Sequence, residues 1–379
     1  MKFKMKWGPV VLFFIVYIWA YSIFNAVNAS ENYSKTGVCE SSSSLEYIEL
    51  ESYNELFFNV KKRKDRMGAL YSKNEWYEGV YSTLDTWTGA LENCAGGDKA
   101  ECQLIVDHIT FLSEQKKALH NWSGREDWNY IWESTFWNNT SLNVVLYAYK
   151  IANEQIDIDA DTHSQIGKWA KKAVKSNKNF HLASVNKTFN NHQVQWARAN
   201  ALYGLIWNDS KALKVSHKAL KRYLKSITKE GALKDEAVRG SRGLFYTGRT
   251  FLALFSLSEL LNEAGLDVYN ENYKTKINKA VNFYIDASAD NTLIYKWSKR
   301  KKNNNGDPKD QEQGTTSNAW VGVYLNIDNI ADKETRSRLY ESETIQDYFF
   351  DMLGLDAGFW EVLDSECFYP VYRTGEMPL

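Results

Sequence analysis

Two short segments of the chain hold residue types that can move protons or bind charge. The first is Asn190-Asn191-His192-Gln193-Val194-Gln195-Trp196, which opens a helical pattern continuing through Arg198, Leu202 and Leu205. Two amides and an imidazole at a helix N-terminus stand beside backbone N–H groups that have no partner inside the helix, where an anionic group finds donors. The plainer reading has the asparagines capping the helix and His192 packed. The second segment runs from Gly231 through Leu233, Glu236, Arg239, Gly240, Arg242 and Leu244 to Tyr246. Arg242 and Tyr246 are four residues apart and share a face if helical, with Arg239 one turn further back. A guanidinium beside a phenol favours the phenolate, so this group can hold an anion and exchange a proton. Taken alone, it reads as a salt-bridge patch built on Glu236.

Helices must carry these residues. Apolar side chains recur at three- and four-residue spacing over 76–92, 101–119, 134–152, 164–176, 192–206, 212–227, 243–264 and 275–287, while strand alternation is scarce. Turn signals at Gly96-Gly97, Asn121 to Gly124, Asn208-Asp209-Ser210, Gly231 and Gly265 separate the segments. Four prolines in 379 residues suit an almost uninterrupted helical domain. Helix following helix at even spacing, without a repeat signature, predicts an all-α fold: an incomplete (α/α) toroid or barrel of antiparallel helix pairs, with an extended solenoid as the alternative.

The 46 Lys and Arg against 47 Asp and Glu exclude the strongly basic character of a nucleic-acid binder, so a polyanion must be held by a local patch. The loop from Lys299 to Lys302 is one candidate rim for such a patch. Aromatic residues make up 15%, and Trp128-Asn129-Tyr130 and Trp137-Asn138-Asn139 set rings beside polar groups, as sugar-binding faces do. Buried rings with a hydrogen-bonded tip are the commoner explanation. Six N-x-S/T sequons, at Asn32, Asn121, Asn138, Asn139, Asn186 and Asn208, carry little weight in a chain so rich in Asn and Lys.

Lys2, Lys4 and Lys6, an apolar run over 9–26 and the small residues Val27-Asn28-Ala29 read as a signal peptide over 1–29, with an uncleaved membrane anchor as the lesser alternative. Its removal leaves 43 positive against 47 negative charges and predicts a periplasmic or secreted monomer with no stable membrane association. Residues 30–74 are expected to form a lead-in, Ser-rich and flexible over 30–50, and a candidate lid; residues 75–379 form the helical domain. Four cysteines in an exported chain favour two disulfides, and three pairings are open. Cys94 and Cys102 bracket Gly96-Gly97 and can close a small loop, which would leave Cys39 for Cys367. No metal-ligand spacing is present, and no cofactor is expected.

Together the two segments resemble the alginate lyase superfamily, most of all polysaccharide lyase family 5. That family's N-N-H-x-x-W motif matches Asn190, Asn191, His192 and Trp196 with one extra residue before the Trp. Its motif G-x-L-x-x-E-x-x-R-G-x-x-x-L-x-Y matches Gly231, Leu233, Glu236, Arg239, Gly240, Leu244 and Tyr246 without a gap. The likeness extends, more weakly, from about Gly97 to Asn270.

It implies a helical toroid with a cleft across its mouth and β-elimination on an acidic polysaccharide. Asn191 and Arg239 would hold the uronate carboxylate. Tyr246 would protonate the departing O4 and, for mannuronate, also remove the C5 proton. His192 would be the base for the opposite epimer or help neutralise the carboxylate. Asn190, Trp196, Arg242, Arg249 and, from the lid, Lys73 would contact substrate. The basic run Lys61 to Lys64 is a second lid candidate, although a solvated helix face explains it better. Where family 5 has His-Asn-Tyr after the tyrosine, this chain has Thr247-Gly248-Arg249, so contacts of that His are missing. The resemblance thus implies a lyase on alginate, poly-mannuronate preferred. Another polyuronate such as glucuronan, and a non-catalytic polyuronate binder, are the alternatives; a hydrolase would need two carboxylates facing each other across a cleft.

Overall fold

A computed structural model describes residues 44–48, 50, 83–84, 86–115, 118–120, 128–184, 190–298, 307, 310–311, 320–327 and 330–345. The signal segment, most of the lead-in with Lys61 to Lys64 and Lys73, the loop from Lys299 to Lys302, Cys39 and Cys367 lie outside them. Among the described residues the architecture is all-helical, with only an isolated bridge between Ile227 and Leu233. The helices are α1 (86–95), α2 (Lys99–Glu114), α3 (Trp128–Gln155), α4 (Ala160–Ser184), α5 (Asn191–Ile206), α6 (Ser210–Ser226), α7 (Lys234–Ala237), α8 (Gly243–Glu263), α9 (Glu271–Ala289), α10 (Thr292–Ser298), α11 (Trp320–Asn326) and α12 (Lys333–Glu341).

Short acidic and amide side chains set the helix starts. Asp98 accepts from the Ala100 and Glu101 amides, Asp159 from Asp161 and Thr162, and Asp209 from Lys211 and Ala212. Asn270 and Asp332 do the same for α9 and α12. Such caps satisfy amides that the helix leaves open, so α4 begins at the Asp159 signal and not at the apolar residues near 164 where periodicity alone placed it.

The consecutive helices α4, α5 and α6 run antiparallel, each to the next. Trp196 of α5 donates to the Val174 carbonyl of α4 at 3.2 Å, and Trp207, at the other end of α5, to His163. On α6, Ser216 bonds Ala197 while Asn200 reaches back to Ala212. Helices two apart therefore run parallel, as Ser113–Gln165 and Ala118–Trp169 show for the α2 end against α4. In α5 only Gln193, Leu205 and Ile206 escape burial, so it is an inner helix, clasped by α3, α4, α6 and α8. Two of its polar residues bond to neighbouring helices: Asn143 of α3 donates to both the carbonyl and the side-chain oxygen of Gln195, and Asn200 donates to Ser216 of α6. A second cluster, Phe251, Phe255, Tyr284, Trp320 and Tyr324, packs around α8, with Phe251 and Phe255 stacked and the other rings edge-on or tilted.

Much of the aromatic content is structural. Trp169, Trp196 and Trp207 each spend the indole N–H on a backbone carbonyl, and Tyr149, His163, Trp207 and Tyr203 stack where α3, α4 and α5 meet. The structure also corrects the reading of 30–50 as a flexible lead-in throughout. Leu45 is completely buried in the core, and its amide donates to Glu101 on α2. Of the sequons, Asn138 and Asn139 are buried inside α3 and closed to glycosylation. Cys94 and Cys102 are joined, closing the turn at Gly97, whose φ of +100° favours glycine.

Candidate functional site

The two segments singled out in the sequence come together at one rim, where α5 and α8 both begin. Asn190 occupies the N-cap of α5, but its side chain makes no capping bond and is buried. The capping expected of the asparagines comes instead from a residue 45 positions later. Glu236 Oε1 accepts the Asn191 amide at 2.6 Å and the Thr250 hydroxyl at 2.9 Å. A carboxylate at a helix N-terminus is favoured by the exposed amides and the macrodipole.

Glu236 is wholly buried, and its second oxygen lies 3.9 Å from an Arg239 guanidinium nitrogen. Burial pushes the carboxyl up to about 7, against the opposing pull of Arg239, the Thr250 hydroxyl and the Asn191 amide. Tyr223 of α6 faces the same carboxyl, and burial raises its phenol well above the ordinary range.

Arg239 in turn lays its guanidinium 3.9 Å above the ring of Tyr246, which Phe245 meets edge-on. The spacing argument had put Arg242 beside Tyr246. The structure differs because Gly240–Arg242 is a 3-10 turn: Arg242 lands on the N-cap of α8 and is exposed, and the residue stacked on the phenol is Arg239. Arg249 is half-buried, with its guanidinium 5.4 Å from the Phe245 ring centre.

Gly231, which opens this motif, has φ +105°, and a Cβ there would sit 2.4 Å from the Lys279 carbonyl of α9. Glycine lets the chain turn against α9 and then rise into the Arg239 turn.

Asn191 and Arg239 thus meet at one carboxylate, with His192 next to Asn191 in sequence and Tyr246 under Arg239; Asn191 and His192 are buried, Arg239 and Tyr246 half-buried. Asn190 joins them on the cap. Trp196 does not: it is buried, and its indole holds α5 to α4, so its expected substrate contact is corrected to a packing role. Lys73 lies outside the described residues. Glu236 had figured only as a motif match and a salt-bridge partner, and Thr250 had not figured at all; both carry ordinary residue types, and their role depends on a contact between distant segments.

The arrangement can bind an anionic group with Arg239 and the amide side chain of Asn191, and can exchange a proton through Tyr246 or His192. Glu236 is sealed from substrate, so the Asp235-Glu236 pair does not supply the two facing carboxylates that a hydrolase needs. Among the described residues no His, Cys, Asp and Glu group is arranged to hold a metal ion, and no described helix is long and apolar enough to cross a membrane. A hollow of about 650 Å³ lined by His120, Gln165, Lys168, Trp169 and Lys172 shares no residue with either motif.

Residues 108–294 match the sequence model of the alginate lyase family. Alginate lyase A1-III from Sphingomonas species A1 superposes with a TM-score of 0.55 at 16% identity, covering 68% of this chain and 70% of that one. A histidine-to-alanine variant of alginate lyase A1-III complexed with tetrasaccharide gives 0.56 at 16%, over 69% and 70%. A tyrosine-to-phenylalanine variant, also complexed with tetrasaccharide, gives 0.55 at 16%, over 68% and 70%. The fold is that of the α/α toroid. Comparison with curated protein sequences finds no match.

Proposed function

From the match of residues 108–294 to the alginate lyase family, we propose that this chain is an exported polysaccharide lyase that cleaves alginate, with poly-mannuronate preferred. The observation that carries the reading is the convergence on Glu236, which brings the Asn191-His192 start of α5 to the Arg239–Tyr246 stack.

The chemistry follows from those groups. The C5 hydrogen of a uronate is poorly acidic while the adjacent carboxylate is charged, so the anion must be met first. Arg239 supplies a charged donor and Asn191 a neutral one, at a rim where two helix N-termini add positive potential. A base then removes the C5 proton, the C4–C5 double bond forms, the C4–O4 bond breaks, and O4 takes up a proton. In mannuronate the C5 proton and O4 lie on one side, so Tyr246 can serve both transfers and end in its starting state. Arg239, 3.9 Å over the ring centre, holds the phenol in place for both transfers. His192 would be the base for the opposite epimer or assist in holding the carboxylate. Arg249, in place of the family's usual residues after the tyrosine, suits the carboxylate of a neighbouring uronate.

The test is to incubate the purified protein with mannuronan, guluronan and glucuronan and follow the ultraviolet absorbance of the new unsaturated end. Fastest growth on mannuronan is expected. No growth on any of the three would overturn the lyase reading, and new reducing ends without absorbance would indicate hydrolysis.

A further inference from the structure

Arg239 is 3.9 Å from Glu236 and 3.9 Å from the Tyr246 ring, and the Asn191 amide is 2.6 Å from the same carboxyl. The start of α5 and Arg239 therefore meet at one buried side chain, Glu236, and Tyr246 is reached through Arg239. We propose that Glu236 is the positioning residue of this site: its carboxylate locks the start of α5 to the Arg239–Tyr246 stack, and the site is assembled for turnover only when that carboxyl is ionised. The proposal deepens the lyase reading and rests on it for its kinetic consequence, while the joint itself is a property of the folded chain.

The ionised form keeps both hydrogen bonds to Oε1 and sets its charge opposite Arg239, although Oε2 itself accepts no hydrogen bond. Oε1 already accepts two hydrogen bonds, from Asn191 and Thr250. The remaining oxygen, Oε2, faces Arg239, which has donors only. A proton on Oε2 would remove the charge that faces Arg239, and a proton on Oε1 would displace one of the two donors. Protonation therefore loosens either the guanidinium or the helix start.

The groups facing the carboxyl are few. Arg239 and Asp235 lie on its own segment, Tyr223 comes from α6, Thr250 from α8 and the Asn191 amide from α5. Tyr223, buried with a raised phenol, stays neutral, so carboxyl ionisation is the event that changes charge inside the joint. Its midpoint near 7 places that event where an enzyme's acid limb would be seen. His192 follows Asn191 in the chain, and histidine is the residue type that ordinarily changes charge near neutrality. A reporter bonded to Glu236 itself separates the two.

The experiment has two arms on the intact protein. In the first, the Asn191 amide is followed by selective ¹⁵N-asparagine labelling across pH 5 to 9. A sigmoidal shift with a midpoint near 7 is expected, absent in Glu236→Gln and moved to higher pH in Thr250→Val, which removes a donor to the charged form. In the second, turnover of mannuronan is measured over the same range. Glu236→Gln is expected to lower kcat by about ten- to a hundredfold with a smaller change in KM, as loss of a charge-assisted contact does. Thr250→Val should raise the midpoint of the acid limb. An Asn191 amide that does not titrate, or titrates identically in Glu236→Gln, overturns the joint. Wild-type kcat and acid limb in a folded Glu236→Gln overturn its positioning role. If wild type makes no unsaturated product on any polyuronate, the lyase reading fails while the amide arm still decides the joint.

Discussion

Replacing Arg239 with alanine removes two contacts whose sizes can be worked out separately. The guanidinium lies over the Tyr246 ring at 3.9 Å, a cation–π contact worth about 1 kcal/mol in a half-buried setting. It also faces Glu236 Oε2, and breaking a buried ion pair ordinarily costs about 3–5 kcal/mol because a charge is left without its partner. Here the carboxyl has a way out: it titrates at about 7 and can take up a proton. At pH 8 that uptake costs about 1.4 kcal/mol, one pH unit above the midpoint; at pH 6 the carboxyl is mostly protonated and the cost is near nil. Arg239→Ala should therefore lose about 2.4 kcal/mol at pH 8 and only about 1 kcal/mol at pH 6.

The sign follows from the direction of the shift. A carboxyl raised from 4.5 to about 7 contributes stability that is complete below about 4.5 and lost as pH rises through 7. Removing Arg239 raises the midpoint further, so the variant goes on losing stability where wild type has levelled off. Urea unfolding of both proteins at pH 6 and pH 8 reads the difference. Equal losses at the two pH values would show that carboxyl and guanidinium are not coupled, and a loss near 4 kcal/mol at pH 8 would show that Glu236 stays charged; either result refutes the reasoning.

Tyr246→Phe should abolish formation of unsaturated ends while leaving polymer affinity, measured by calorimetry, within a few-fold; retained turnover would remove Tyr246 from proton transfer. Trp196→Phe takes away only the indole bond to Val174, so it should cost about 1 kcal/mol in urea unfolding and leave KM for mannuronan unchanged. A several-fold rise in KM would restore Trp196 to the substrate face. Gly231→Ala places a Cβ against the Lys279 carbonyl at a positive φ and should destabilise by about 2–4 kcal/mol, read as a fall in melting temperature; an unchanged melting temperature would show that α9 yields there.

How much of this was legible beforehand depends on the range of the interaction. Helix content, the small Cys94–Cys102 loop and the pairing of an Asn-Asn-His segment with an Arg-Gly-Tyr segment all rest on residues within a few positions of one another or on ordered motifs, and the sequence alone supports them. Helix limits were less legible where a cap signal such as Asp159 lay several residues before the apolar pattern began.

The sequence by itself therefore determined that this is an all-helical chain with two chemistry-bearing segments, because α-helical periodicity and motif spacing are local properties. Tertiary structure alone decided how those segments meet. Glu236 caps a helix that begins 45 residues earlier, Arg239 and not Arg242 lies on Tyr246, and Trp196 turns inward. The physical reason is that burial sets these outcomes. Desolvation of a carboxyl, the choice of which cation faces it and the depth of an indole are fixed by everything packed around them, and no spacing along the chain encodes that environment.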